Sequence, residues 1–278
     1  MHQRIAALHD ISGFGRGSMT TAIAVFAAQG IQCCPVVGAV LSAHTAFPHV
    51  TVHDLTDDLP AYVENWKELK LDFDAVYSGY MSSAAQILQV ENLHRSCMRP
   101  GGLLVVDPVM GDNGKPYAGA FGEQFAAQMA ALCSQADIIT PNLTEAAMLL
   151  GDAPDGWRED EASVTVLLDR LLKLGCKAAV ITGVHDTKGR IGAGWIDSHG
   201  RRGFAYCPKV DAYFPGTGDL FASVMLSSLL KDPRRSLASA VEKAVEFVYR
   251  CIEETVKEGT DPLEGVLLEK MLPLFLNR

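Results

Sequence analysis

The sequence lacks any apolar run of the roughly 18 residues that a membrane-spanning helix requires. It also lacks an excess of positive charge: 24 Lys and Arg stand against 33 Asp and Glu, a formal net charge of -9. A general nucleic-acid-binding surface is normally basic, so this balance argues against one. The N-terminus has no signal-peptide apolar region followed by a small-residue cleavage site. We therefore expect a cytoplasmic protein with neither a membrane nor a nucleic-acid partner.

Paired metal-binding or disulfide-forming cysteines are missing too. The seven cysteines are odd in number and scattered, and no Cys-x-x-Cys occurs, so neither a zinc ribbon nor a disulfide framework is supported. We expect the thiols to act as small apolar side chains in a reducing compartment. The phosphate-binding pattern Gly-x-x-x-x-Gly-Lys-[Ser/Thr] is also absent, which excludes a P-loop enzyme.

What the 278 residues do contain is an alternation of short apolar segments with helical segments. This alternation predicts a mostly parallel sheet covered by helices on both faces. No repeat or polar linker divides the chain, so we expect one doubly wound α/β domain over residues 1–278. The predicted strands are Arg4–His9, Gln32–Leu41, Asp74–Ser78, Leu103–Val106, Asp137–Thr140 and Ala178–Thr182, with Ile191–Asp197 and Gly203–Pro208 as an antiparallel edge hairpin. The predicted helices are Ser18–Gln29, Asp57–Leu69, Ser83–Met98, Ala118–Ser134, Asn142–Leu150, Glu159–Leu174, Thr217–Leu230, Pro233–Glu258 and Pro262–Phe275.

A glycine-rich loop, Asp10–Ser18, follows the first strand, and ligands of doubly wound sheets bind beyond the carboxyl ends of the strands. The loop reads Gly-x-Gly-x-Gly rather than the Gly-x-Gly-x-x-Gly of a dinucleotide fingerprint, and no acidic residue ends the second strand. A tight turn into the helix is one interpretation. The other is a substrate-facing loop, because glycine lets the backbone approach a ligand closely.

Polar side chains also follow the next three strands. His44 and Thr45 follow the second strand, where a single loop histidine is weak evidence by itself, and Tyr80 follows the third. Asp107 and Asp112 follow the fourth strand on a loop interrupted by proline and glycine. Two carboxylates at this spacing suit a hard cation such as Mg²⁺, although an aspartate in such a turn can equally cap a helix.

The fifth strand is followed by Asn142 and, three residues later, by Glu145. This spacing predicts a capping box at the start of a helix. A helix start of this kind can also orient a metal-bound water, so the structural and the functional interpretation are compatible.

The sharpest pattern is Gly216-Thr217-Gly218-Asp219, which opens a predicted helix. Exposed N–H groups at a helix start bind anions, and the helix dipole adds to the attraction. Asp219 stabilises the helix from its first turn. Beside a bound phosphate, the same carboxylate can accept a proton from an attacking nucleophile.

Together and in this order, these segments resemble the ribokinase-like superfamily of small-molecule kinases, with the closest fit to its vitamin B6 branch, the pyridoxal kinases. The resemblance runs from Leu8 to about Leu230. Each segment is short, but four of them in this order are specific. The segments are Ser78–Tyr80, Asp107–Asp112, Thr140–Asn142 with Glu145, and Val210–Ala212 leading into Gly216–Asp219.

The resemblance implies a role for each matching residue. Asp219 corresponds to the catalytic base, and Gly216, Thr217 and Gly218 correspond to the anion hole. The residues implied at the Mg²⁺ and ATP phosphates are Asp107, Asp112, Asn142 and Glu145, with Asp107 and Glu145 on the metal, while Thr182, Gly183, Gly216 and Gly218 complete the implied ATP site. The residues implied on the substrate side are Asp10, Ser12, His44, Thr45 and Tyr80.

The implied activity is ATP-dependent phosphorylation of the primary hydroxymethyl group of pyridoxal, pyridoxine or pyridoxamine, by a homodimer that uses Mg²⁺ and a monovalent cation such as K⁺. Pyridoxal kinases often carry a Ser-His pair in the first loop, whereas Asp10–Gly13 here looks more like the hydroxymethylpyrimidine kinases of thiamine synthesis. Those relatives commonly have Cys where Asp219 stands, and Ser42–Thr45 and Tyr80 also favour the B6 branch. A hydroxymethylpyrimidine kinase, or a kinase of both rings, is the alternative. A non-catalytic cofactor-binding protein is a third class, against which the carboxylate beside an intact anion hole argues.

Overall fold

The computed structural model describes residues 2–117, 122–232 and 234–276, which alternate strands with helices. The strands are β1 (Arg4–Ser12), β2 (Gln32–Leu41), β3 (Val52–Asp54), β4 (Phe73–Ser78), β5 (Met98–Val106), β6 (Gly111–Asp112), β7 (Lys115–Pro116), β8 (Ile138–Ile139), β9 (Ala178–His185), β10 (Arg190–Asp197) and β11 (Arg202–Pro208). The helices are α1 (Ser18–Ala28), α2 (Leu59–Glu68), α3 (Ala84–Cys97), α4 (Glu123–Cys133), α5 (Leu143–Leu149), α6 (Glu161–Leu174), α7 (Thr217–Lys231), α8 (Leu237–Glu258) and α9 (Leu268–Leu276), with a 3-10 turn at Pro262–Glu264.

Nine of the described strands form one sheet, in the order β11-β10-β9-β8-β5-β4-β1-β2-β3. The six strands from β9 to β2 run parallel to one another. β10 and β11 are antiparallel at one edge, and β3 is antiparallel at the other. The expected mostly parallel sheet with an antiparallel edge hairpin is therefore confirmed.

Helices cover both faces of the sheet, because the central strands carry apolar side chains in both directions. Ile5–Leu8 is fully buried, as a strand covered on both sides must be. In the described part of the chain, one apolar cluster packs α2, α3, α4, α5 and α6 on one face, and a second packs α1, α7, α8 and α9 on the other. The sheet is thus wound on both sides, with its strand ends left free to build a site.

Two expectations from the sequence concern membrane-spanning helices and the state of the cysteines. Within the described ranges, no helix combines the length and the apolar character needed to cross a membrane. All seven cysteines lie among the described residues and are free thiols, four of them buried.

The first strand is longer than the predicted Arg4–His9, since β1 continues to Ser12. Its last residues include His9, Asp10 and Ser12, which are polar yet at most 5% exposed. A register shift against β2 falls between His9 and Asp10. The strand end therefore delivers charged side chains into the interior, which an apolar pattern does not predict.

β9 also extends past its predicted end at Thr182, to His185. The pairing with β10 skips one residue at this point, and Gly183 takes a φ of +75° there. A bulge with a left-handed glycine lets the strand continue, so Thr182 and Gly183 lie inside the strand rather than after it.

Other differences fall where local patterning is weak. β3 is three residues long and exposed, and β6 and β7 are two residues long. Strands this short cannot show an alternating pattern. β5 begins at Met98, which was expected to close the preceding helix. The predicted helix Pro262–Phe275 is wrong at its start, because Gly265 takes a φ of +76° and separates the 3-10 turn from α9. The predicted starts at Ala118 and Pro233 lie outside the described residues.

Candidate active site

The start of α7 is pressed against the glycine-rich loop. Gly216 caps α7 with a φ of +79°, in the left-handed region. A Cβ at this position would overlap the carbonyl oxygen of Arg16 and lie 2.9 Å from Cα of Gly17, so the contact requires glycine. Leu220 donates to Gly216 at 3.1 Å, and the N–H groups before it have no partner within the helix. This is the arrangement in which helix starts bind anions.

The Asp219 carboxylate lies in the first turn of α7 and is held at both oxygens. Oδ1 is 2.9 Å from Nε2 of His9, and Oδ2 accepts the backbone N–H of Ser18 at 2.7 Å. Each carboxylate oxygen can accept a further hydrogen bond, and the side chain keeps 13% of its surface exposed. The carboxylate is therefore fixed in direction and still reachable.

His9 lies between two carboxylates, because its Nδ1 is 2.9 Å from Oδ1 of Asp10 while its Nε2 meets Asp219. Burial alone would lower the pKa of His9. The charge of Asp219 and the hydrogen bonds of both aspartates outweigh burial and raise that pKa to about 10. The ring is therefore an imidazolium at neutral pH.

Asp10, which the sequence places on the substrate side, is 5% exposed and forms a hydrogen bond with His9. Its Oδ1 meets the ring, and its Oδ2 accepts the Ser12 hydroxyl at 3.2 Å. Burial acts to raise the pKa of Asp10, but the bond to His9 and its charge lower it overall. His9 was not among the predicted residues because it closes an apolar segment. The available signal was a histidine–aspartate pair at the end of a buried strand.

Asp107, at the end of β5, lies near the start of α7. Its Oδ1 accepts the Thr140 hydroxyl at 3.0 Å, and a Cβ on Gly218 would lie 4.0 Å from its Oδ2. Burial, and then the negative charge of Asp219, raise the pKa of Asp107 to about 7. The structure thus brings two predicted carboxylates to one place, where a cation would relieve their repulsion.

Glu145 and Asn142 form the predicted capping box at the start of α5. The Glu145 N–H donates to Oδ1 of Asn142 and the Asn142 N–H donates to Oε2 of Glu145, both at 2.9 Å. Oε1 of Glu145 accepts the N–H of Met110 at 3.1 Å. Burial, and then the charge of Asp107, raise the pKa of Glu145 well above its usual range. The Glu145 carboxyl group therefore holds the loop after β5 in place, and it is a second buried carboxyl group near Asp107.

Asp112 lies on the small β6–β7 hairpin. Its Oδ2 accepts the hydroxyl of Tyr213 at 3.1 Å, and its Oδ1 accepts the N–H of Asn113 at 2.8 Å. Asp112 thus ties this hairpin to the segment before α7. Within the described part of the chain, Asp112 makes no hydrogen bond or ion pair with Asp107 or Asp219.

Thr182 and Gly183 lie on β9, beside the start of α5. The Thr182 N–H donates to Pro141 at 3.0 Å, and Thr182 pairs with Asn142 in a single parallel bridge. Gly183 is exposed beside it. These residues therefore lie next to the capping box rather than at the helix start that Gly216 caps.

A C-terminal segment, residues 262–269, covers the glycine-rich loop; we call it the closing segment. The Arg16 N–H donates to the carbonyl of Glu264 at 2.9 Å, and its guanidinium pairs with Glu269 at 2.9 Å. Nε2 of His44 lies 2.6 Å from the carbonyl oxygen of Leu263. A Cβ on Gly265 would lie 2.5 Å from the carbonyl oxygen of Arg16. No local pattern predicted these contacts.

The predicted ring-side residues surround that loop. His44 packs on Phe47 with ring centroids 4.7 Å apart, and a Cβ on Gly15 would overlap its ring. Thr45 is exposed beside it. Tyr80 is half-buried, and burial together with the charge of Asp10 raises its pKa.

Among residues 2–117, 122–232 and 234–276, no three His, Cys, Asp or Glu side chains gather as a metal cluster. Mg²⁺ does not need such a cluster in a nucleotide site, since it uses one or two carboxylates, waters and the phosphates themselves. The buried carboxyl of Asp107, with Glu145 nearby, fits that demand.

Comparison with known proteins shows what the chain is similar to. The family model of phosphomethylpyrimidine kinase matches residues 14–264. Pyridoxal kinase from Sus scrofa is 30% identical over 286 residues, which covers 92% of this chain and 87% of that protein.

Two solved structures agree with this over the whole fold. A Bacteroides thetaiotaomicron protein, solved as a candidate phosphomethylpyrimidine kinase in a crystal form with pyridoxal, is 37% identical with a TM-score of 0.92 and covers 100% of this chain and 96% of that one. Pyridoxal kinase from Lactobacillus plantarum is 31% identical with a TM-score of 0.88 and covers 99% and 97%.

Proposed function

The chain belongs to the phosphomethylpyrimidine kinase family, and within the ribokinase-like fold to the pyridoxal kinases; from that premise we propose that it transfers the γ-phosphoryl group of ATP to the hydroxymethyl group of a vitamin B6 vitamer. The observation that carries the proposal is the Asp219 carboxylate, oriented by two donors in the first turn of α7. It stands beside N–H groups that are free to bind a phosphate.

In this proposal Asp219 is the general base. The substrate hydroxyl oxygen forms the new bond to the γ-phosphorus, its proton passes to the Asp219 carboxylate, and the bond to the bridging oxygen of ADP breaks. The transferred group carries spread negative charge, so positioning and electrostatics dominate the catalysis. The N–H groups of residues 217–219 supply part of the positive counterpart, and the left-handed Gly216 places them.

Mg²⁺ is assigned to Asp107, with Glu145 beside it. When bound, the ion would neutralise charge on the phosphate oxygens. The role of Asp107 is to keep a carboxylate near the start of α7, where burial and the charge of Asp219 raise its pKa to about 7. A cation at this place favours the ionised carboxyl.

The ring of the substrate is assigned to the glycine-rich loop side, with His44, Thr45 and Tyr80. The contact of His44 with the closing segment and the half-buried ring of Tyr80 support placing the substrate ring on this side of the site. The N–H of Gly13 donates to Leu41 at 2.8 Å, which ties the loop to the neighbouring strand.

A substrate panel tests the proposal. ADP release is measured with pyridoxal, pyridoxine, pyridoxamine and hydroxymethylpyrimidine, each with Mg²⁺ and ATP. We expect the highest kcat/KM for one of the three B6 vitamers. The family description and the B. thetaiotaomicron relative favour hydroxymethylpyrimidine as the alternative. Turnover of that pyrimidine alone would replace the proposal, and turnover of none of the four would end it.

Asp219→Asn tests the base. A general base contributes about 10²–10⁴ in rate, so we expect a loss of kcat in that range with the fold and ATP binding kept. Asp232→Asn is the matched control, since Asp232 follows the other end of α7, about 20 Å away along the helix axis. Near-normal turnover in a folded Asp219→Asn protein removes the base assignment.

A further inference from the structure

We propose that His9 is a positioning residue for phosphoryl transfer: its ring, held from behind by Asp10, fixes the Asp219 carboxylate in the direction from which it takes the proton. The inference rests on the function proposed above. It assigns a task to a buried histidine that was not among the residues predicted from the sequence.

The first support is the continuous chain of contacts. Asp10 Oδ1 to His9 Nδ1 and His9 Nε2 to Asp219 Oδ1 are both 2.9 Å. His9 is 1% exposed, so water does not compete for either ring nitrogen. Hydrogen bonds to charged groups are about twice as strong as neutral ones. His9 lies on β1, so its ring restrains the Asp219 carboxylate from a fixed place in the sheet through a strong hydrogen bond.

The second support is the space built for the ring. Gly79 follows β4, and its N–H donates to the carbonyl of Leu8 at 3.0 Å. A Cβ on Gly79 would overlap Nε2 of His9. The edge of Tyr77 closes another side, with ring centroids 6.3 Å apart. The imidazole thus occupies the space that a side chain at position 79 would fill.

The charges that face His9 come from three elements. Asp10 lies on the same strand as His9, Asp219 lies on α7, and Asp107 directly follows β5. Tyr77 on β4 faces the ring with a phenol whose pKa burial raises well above its usual range. The negative charges hold the pKa of His9 at about 10, so the ring is already protonated at neutral pH and cannot accept the substrate proton. Its task is therefore to orient the Asp219 carboxylate.

Two substitutions separate the orientation of the Asp219 carboxylate from the effect of the positive charge on His9. His9→Gln can keep a neutral donor toward Asp219, whereas His9→Asn is shorter and reaches only toward Asp10. A bond to a charged group corresponds to roughly ten- to a hundredfold in rate. We expect kcat to fall about tenfold in His9→Gln and about a hundredfold in His9→Asn, with the KM for ATP unchanged within about twofold. Both variants lack the positive charge, so the acid limb of the pH profile of kcat/KM should move to higher pH.

Gly79→Ala provides an independent perturbation, because its methyl group would overlap the His9 ring, which supplies the nearest atoms to it. We expect it to reproduce the loss of kcat and the shifted acid limb of the His9 variants. His199→Gln is the control. His199 is exposed in the turn after β10, and Asp197 there pairs with Ala178 at the start of β9, so it lies at the opposite end of the sheet.

A readout that does not need turnover completes the test. In protein with ¹⁵N-labelled histidine, the signal absent from His9→Gln identifies His9. We expect it to show two protonated ring nitrogens up to about pH 9, and to lose the proton at lower pH in Asp219→Asn. A His9 ring that titrates near 6.5 overturns the inference, whether or not the enzyme is active. If Asp219→Asn is inactive while His9→Gln, His9→Asn and Gly79→Ala keep the wild-type kcat and acid limb, the inference fails and the proposed function stands.

Discussion

Raising the pH from 6.5 to 9 should destabilise this protein by a specific amount that depends on His9. The pKa of His9 is about 10 in the folded chain, whereas an unpaired histidine has a pKa near 6.5. Between these values the folded chain holds a proton that the unfolded chain has released. Stability from this group is therefore complete below pH 6.5 and declines as the pH rises toward 10. Well between the two pKa values, each pH unit removes about 1.4 kcal/mol of stability. The slope is smaller close to either pKa value, so the step from pH 6.5 to 9 removes about 3 kcal/mol.

The assay is urea unfolding followed by circular dichroism at pH 6.5 and 9, for the wild type and for His9→Gln. Buried thiols also make folding less favourable at high pH, because burial raises the pKa of Cys33 to about 12 and that of Cys176 to about 11. These thiols are present in both proteins, so their effect cancels when the two pH differences are subtracted. We expect the wild type to lose more than the variant, by at most about 3 kcal/mol. The charge of His9 lowers the pKa of Asp107 only in the wild type, so the variant loses additional stability through Asp107. Equal pH slopes in the two proteins, within about 1 kcal/mol, would refute the charge pairing.

Three further outcomes follow from the site. Asp107→Ala should raise the Mg²⁺ concentration needed for half-maximal rate, and an unchanged Mg²⁺ titration would count against this ligand. Gly265→Ala should lower kcat/KM for the ring substrate more than for ATP, because its Cβ would meet Arg16 at 2.5 Å; Gly259→Ala, also at positive φ but in open space, is the control. Asn142→Ala should cost about 1 kcal/mol of stability through loss of the α5 cap, measured by urea unfolding, and full stability would contradict the capping box.

Much of this fold is predictable because its signals are local. Strands such as Ile5–Leu8 are continuous apolar runs, and the helix starts at Asn142 and Gly216 show in a few neighbouring residues. The capping box is confirmed in both of its hydrogen bonds. Asp107 directly follows the parallel strand β5, and the start of α7 brings Asp219 close to it, at the edge of the sheet where doubly wound folds bind ligands.

What could not be predicted depends on partners distant in sequence. The largest contribution that raises the pKa of His9 is the charge of Asp219, 210 residues away. The bulge at Gly183 is set by its register with β10. The helix expected from Pro262 is interrupted at Gly265, where Arg16 closes in. In each case the tertiary contact decides the outcome, and a short window of sequence does not contain it.

The closing segment has a consequence for the order in which the site is completed during synthesis. The Arg16 guanidinium and the carbonyl of Glu264 that it contacts are 248 residues apart, and at about 5–20 residues per second the ribosome needs roughly ten to fifty seconds to make that stretch. The glycine-rich loop is synthesised long before the closing segment that covers it. A chain released before residue 262 could form the sheet and place Asp219, but its loop would lack that cover. Full activity would then report that synthesis had run past the closing segment.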